Sequence, residues 1–65
     1  MQATTVGLGP FYPAIRITGV LWVNRSVSFD NEDAAHNAAI IILNRLQYRQ
    51  TAQLKQAGYA KELES

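Results

Sequence analysis

Two apolar runs with strand character lie near the start of the chain. Ala14–Thr18 reads AIRIT and Val20–Phe29 reads VLWVNRSVSF. Both are rich in β-branched and aromatic residues, and Gly19 separates them, which is the signal of a β-hairpin. In the second run Leu21, Val23, Val27 and Phe29 alternate onto one face, with Arg25 the exception. Val20, Trp22, Asn24, Ser26 and Ser28 fall on the other, because successive side chains of a strand point to opposite faces. Asn24-Arg25 reads as a turn or bulge that splits the run in two. Pro13 opens the first strand, a position that tolerates proline. Residues 1–12, MQATTVGLGPFY, hold two glycines and a proline. They read as an arm or a short edge strand at Thr4–Leu8, since both residue types resist regular structure.

The hairpin has two registers, and a slip of one residue exchanges the faces. A three-residue turn, Thr18-Gly19-Val20, sets Ile17 opposite Leu21 and Ile15 opposite Val23, and leaves Arg16 and Trp22 together on the other face. A two-residue turn sets Ile17 opposite Val20 and Ile15 opposite Trp22, which buries the tryptophan. The first is favoured because it joins the stripe that continues into Val27 and Phe29.

From Ala34 the apolar spacing becomes helical. Ala35, Ala39, Ile42 and Leu46 form one stripe, flanked by Ala38 and Leu43. Asp30-Asn31-Glu32-Asp33 supplies the start: Asp or Asn accepts amide hydrogens of the first turn, and carboxylates there suit the positive end of the helix dipole. Gly58 is the stop, with Tyr59 as the apolar residue after a glycine cap. One helix over residues 31–57 is therefore expected. From Glu32 to Ala57 it would run about 39 Å at 1.5 Å per residue. A three-stranded sheet cannot cover that length, so the part beyond Leu46 must project, bend back or pack on another chain. The expected fold is α+β: a two- to three-stranded antiparallel sheet packed on one long C-terminal helix, within a single domain over residues 1–65. The expected core is Ile15, Ile17, Leu21, Val23, Val27, Phe29, Ala35, Ala39, Ile42, Leu43 and Leu46. Residues 58–65 form a tail.

Composition narrows the functional classes. Of the 65 residues 48% are hydrophobic and 17% charged, the mix of a globular chain. A domain of this size buries only about 60% of its unfolded surface. Disulfides, a metal or a partner subunit commonly compensate. There is no cysteine and only one histidine, His36. Disulfides and cysteine-bound zinc are excluded, and no metal or cofactor is expected, which leaves oligomerisation or partner binding. The net charge is +1, whereas a dedicated nucleic-acid binder carries a clear basic excess. No run approaches the roughly 20 apolar residues of a membrane span. No signal peptide is read at the N-terminus, so the cytoplasm is expected, that of a host cell if the chain is phage-encoded, with no membrane partner.

Three features stand out as candidate chemistry. Ile40-Ile41-Ile42-Leu43 covers every side of a helix, so Ile40 and Ile41 point away from the sheet; with Tyr48 they are the candidates for self-association into a homodimer, unless the N-terminal arm folds over them. Trp22 beside Arg16 joins two residue types enriched at interface hot spots. With Asn24 they form a candidate partner-binding set. Arg45 and Arg49, spaced i, i+4 on one helix face, add to that set, and Gln47, Gln50, Gln53 and Gln56 recur every third residue alongside. No catalytic constellation is found, and no enzymatic activity is expected.

The order Tyr12-Pro13-Ala14-Ile15-Arg16-Ile17, then Gly19, then Phe29-Asp30 and Ala34-Ala35 resembles the three-stranded sheet plus helix of AP2-type DNA-binding domains and of the arm-binding domains of phage integrases. The resemblance covers Phe11–Leu46. It implies that the open sheet face reads the major groove through Arg16, Trp22 and Arg25. The chain departs from it in carrying only two strand arginines and no basic run after the helix. In size and layout it is also similar to small phage-encoded inhibitors, including some anti-CRISPR proteins. The function expected is non-catalytic binding of a host protein or protein complex by a small phage or mobile-element accessory protein; the alternative is an AP2-like DNA-binding module.

Overall fold

The computed structural model describes residues 1–46 and 51–62. The architecture is α+β. Four strands, β1 (Gln2–Val6), β2 (Tyr12–Ile17), β3 (Val20–Val23) and β4 (Ala60–Glu62), form an antiparallel sheet in the order β1-β2-β3-β4. Two helices, α1 (Glu32–Arg45) and α2 (Thr51–Gln56), lie between β3 and β4 in the chain. The sheet thus has four strands rather than two to three. The fourth comes from the segment expected to be a tail, and the edge strand begins at Gln2 rather than Thr4.

The hairpin takes the two-residue turn. Thr18 and Gly19 have φ of 49° and 79°. Positive φ at both central positions is the pattern of a type I′ turn, whose twist matches that of the strands it joins. Ile17 stands opposite Val20, Ile15 opposite Trp22 and Ala14 opposite Val23. This overturns the favoured register and, with it, the solvent-facing Trp22. The tryptophan is 6% exposed and packs with Ile15, Ile17, Ala39, Leu46, Leu54 and Tyr59. Leu21 and Val23 are buried too, on the opposite face, where they cluster with Ala14, Val6 and Tyr12.

The stripe that favoured the other register is not one strand. Asn24 donates its backbone N–H to the Pro13 carbonyl at 3.0 Å, but Pro13 has no N–H to return. The ladder stops, β3 ends at Val23, and Val27 lies 42% exposed instead of in the core. Regular pairing would place Ser26 opposite Phe11. Phe29 stands there, with N–H···O bonds of 2.8 Å in both directions, so the chain bulges out between. The split expected at Asn24-Arg25 is observed.

α1 starts as the sequence indicates. Asn31 is the N-cap, and its side chain accepts the Ala34 N–H at 3.0 Å, with Glu32 and Asp33 in the first turn. Ala35 and Ala39 are fully buried, because small side chains allow the helix to lie close on β1 and β2. The single long helix is not observed. Leu46 is extended, with φ −73° and ψ 138°, and its side chain turns into the core. α2 ends at the expected glycine. Gly58, at φ 99°, is followed by Tyr59, whose N–H reaches back to the Leu54 carbonyl at 2.9 Å, while the Gly58 N–H reaches Lys55 at 3.1 Å. This is a Schellman cap, and the hydrophobic contact that accompanies it joins Tyr59 to Leu54, both buried.

Two variants test this account. Trp22→Ala should cost about 3–5 kcal/mol of folding free energy. At about 0.05–0.15 kcal/mol per residue that is most of the stability of so short a chain. The variant should therefore be largely unfolded by circular dichroism. Thr18→Asn should raise the urea midpoint, by about 1 kcal/mol in stability, because a β-branched residue is strained in the left-handed region and asparagine is not.

Candidate functional site

Both helices pack on one face of the sheet, and among the described residues no helix covers the other. Strand alternation and the observed registers bring Gln2, Thr4, Val6, Tyr12, Ala14, Arg16, Leu21, Val23, Ala60 and Glu62 to that second face. Ala14 and Val23 are fully buried there even without a helix above them, and Leu21 is 9% exposed. The half-exposed surface is formed by Thr4, Val6, Tyr12, Arg16 and Glu62.

Arg25, just beyond the end of β3, leans over this face. Its guanidinium carbon lies 5.1 Å from the Tyr12 ring centroid, within cation–π range. Its Nε and Nη2 donate to the two Glu62 carboxylate oxygens at 2.9 and 2.8 Å. The fork-on-fork geometry is the strong, directional form of the arginine–carboxylate pair. It ties the bulge after β3 to β4 across a sequence distance that no local pattern spans. The hydrogen bond from Arg25 holds the Glu62 carboxyl below its ordinary range, and the same bond raises Arg25. Glu62 and Tyr12 were not among the expected site residues. Tyr12 was legible as the residue two before Ala14 and four before Arg16 on one strand face; Glu62 had no local signal.

The expected site residues are scattered. Arg16 lies half-buried on the helix-free face, and Trp22 lies beneath the helices on the opposite one. Asn24 is 7% exposed and its side chain is structural. The Asn24 Nδ2 donates to the Ala57 carbonyl at 3.2 Å, and its Oδ1 accepts the Ser26 N–H at 3.0 Å. A Cβ on Gly58 would sit 3.2–3.4 Å from that amide. Asn24 therefore clamps the end of β3 to the end of α2. Arg45 is exposed at the last turn of α1, beside a groove of about 340 Å³ that Ile42, Leu46, Gln53, Gln56 and Ala57 also line. Arg49 and Tyr48 lie outside the described residues, as do Gln47 and Gln50. Ile40 is half-buried on α1, and Ile41 is 53% exposed.

Among the described residues no group of three His, Cys, Asp or Glu side chains is placed to hold a metal. Burial pushes the Tyr59 hydroxyl up, as expected for a core tyrosine. No helix among the described residues is long and apolar enough to cross a membrane. No protein-family model, no curated protein and no solved structure matches this chain. Function has to be read from its own residues.

The ion pair predicts a pH dependence. Because the folded state lowers the Glu62 pKa, the pair stabilises fully above the ordinary carboxylate range and is lost as pH falls through the lowered value. Wild type should exceed Glu62→Gln in urea midpoint at neutral pH, and the difference should shrink as pH falls below the ordinary carboxylate pKa and vanish below the lowered one. The difference is small, since Arg25 and Glu62 are 52% and 30% exposed.

Proposed function

We propose that this chain is a non-catalytic protein-binding module, cytoplasmic and similar in scale to small phage-encoded inhibitors of host factors, and that it holds its partner on the helix-free sheet face. The observation that carries the reading is the Arg25–Tyr12 stack locked by Glu62 over a buried apolar cluster. Tyrosine and arginine are enriched at protein interface centres. Here both are held in place before any partner arrives, so less side-chain freedom is lost on binding. The complementary partner is a protein surface with an apolar segment to lie along Val6 and Tyr12 and backbone or carboxylate acceptors for the free edge of Arg25.

DNA binding is the weaker alternative. Of the strand positions that the AP2-type resemblance would use, Trp22 is under the helices and Arg25 is paired with a carboxylate. A phosphate would have to displace Glu62.

The test is capture on immobilised protein, followed by reconstitution of the complex from the purified partner. Tyr12→Ala and Arg25→Ala, each checked for an unchanged far-ultraviolet spectrum, should weaken that complex by roughly thirtyfold or more, the effect of a hot-spot truncation. Unchanged affinity in both folded variants would contradict the proposed face. Tight binding of duplex DNA that collapses with added salt would favour the alternative.

A further inference from the structure

The two edges of the sheet are built differently. β4 is three residues long and carries Lys61 and Glu62. Shortness and charge are the devices that stop an edge from pairing with another strand. β1 is five residues long, QATTV, with no charge and no proline. Among the described residues β2 is its only neighbour. Such an edge is a template for another strand.

The register fixes which backbone groups β1 offers. The Pro13 carbonyl points toward β3, where it accepts the Asn24 N–H. Alternation then turns the polar groups of Ile15 and Ile17 toward β3 and those of Tyr12, Ala14 and Arg16 toward β1. Their partners Val6, Thr4 and Gln2 use their own groups in that ladder. The N–H and C=O of Ala3 and Thr5 face the open edge.

We infer that β1 pairs antiparallel with β1 of a second copy of this chain, making a continuous eight-stranded sheet about a two-fold axis at Thr4. In this register Ala3 exchanges N–H···O=C bonds in both directions with Thr5 of the second copy, and the two-fold repeats the exchange. Every outward group of the strand centre is satisfied. Thr4 meets its own symmetry mate, a favourable cross-strand pair, whereas any charge at that position would repel itself. An edge without charges is what a self-complementary interface requires.

α1 fits the same axis. It lies over β1 and β2, and its Ile42 and Arg45 flank faces α2 across the groove. At 3.6 residues per turn Ile40 falls on the opposite flank, the one beside the open edge. A two-fold perpendicular to the sheet leaves both helices on one face and brings the two half-buried Ile40 side chains toward each other. Ile41, on the side turned away from the sheet, takes no part. The interface runs along the β1 edge and does not use the Tyr12–Arg25 stack, so either proposal can fail alone.

Sedimentation equilibrium over micromolar to millimolar concentrations tests the pairing, with Thr5→Pro and Thr4→Lys as variants. Proline removes the outward Thr5 donor and leaves the ladder to β2 intact, as proline does on edge strands. Each variant should keep the wild-type circular dichroism and raise the dimer dissociation constant roughly tenfold or more, from lost hydrogen bonds in one and apposed charges in the other. The Ala3 and Thr5 amides should gain hydrogen-exchange protection as wild-type concentration rises. A wild-type chain that stays monomeric throughout would overturn the inference. So would a dimer that survives both variants, or one broken only by Ile41→Lys.

Discussion

A turn of two residues decides the rest of this structure. Thr18-Gly19 closes the β2–β3 hairpin with Ile17 opposite Val20, and from that closure Ile15 meets Trp22. The tryptophan then lies on the face where Ala39 of α1, Leu54 of α2 and Tyr59 gather. Had the turn been one residue longer, Leu21 and Val23 would have faced the helices and the tryptophan would have faced water. The turn achieves this with a threonine at positive φ, a strained choice that the glycine beside it and the packing of Trp22 offset.

A second junction carries that order into the helices. Pro13 ends the ladder at Asn24, which frees the asparagine side chain to bind both its own loop and the Ala57 carbonyl. Gly58 takes a φ of 99° that strains any side chain, and a Cβ there would also press on the Asn24 amide. The C-cap of α2 therefore sits where β4 can join β3. The same geometry aims Arg25 outward onto Tyr12, where Glu62 meets it. The helix-free face is a consequence of how the core is closed.

Local signals were legible and long-range ones were not. Asn31 as a cap, the Ala35–Ala39–Ile42–Leu46 stripe, Gly58-Tyr59 as a stop and the break at Asn24 all depend on neighbours within a few residues. The hairpin register is not legible from alternation, because Val20-Leu21-Trp22-Val23 is apolar on both faces. The turn could have chosen, since glycine at the second of two positions is a type I′ signature. The stripe toward Val27 and Phe29 outweighed it, although Pro13 withholds the donor that would extend that strand. β4 was illegible because Ala60-Lys61-Glu62 is short and charged and becomes a strand only by pairing with β3. The register put Trp22 on the wrong face, and the Asn24 clamp and the Glu62 pair rest on partners more than 30 residues away.

The central claim is the register, and the α-proton contacts across the hairpin read it directly. In an antiparallel ladder the α-protons approach closely only at the pairs that are not hydrogen-bonded to each other. The two-residue turn makes those pairs Arg16 with Leu21 and Ala14 with Val23. Nuclear Overhauser contacts between those α-protons are the predicted result. A contact between the α-protons of Arg16 and Trp22, with none between Arg16 and Leu21, would contradict the account.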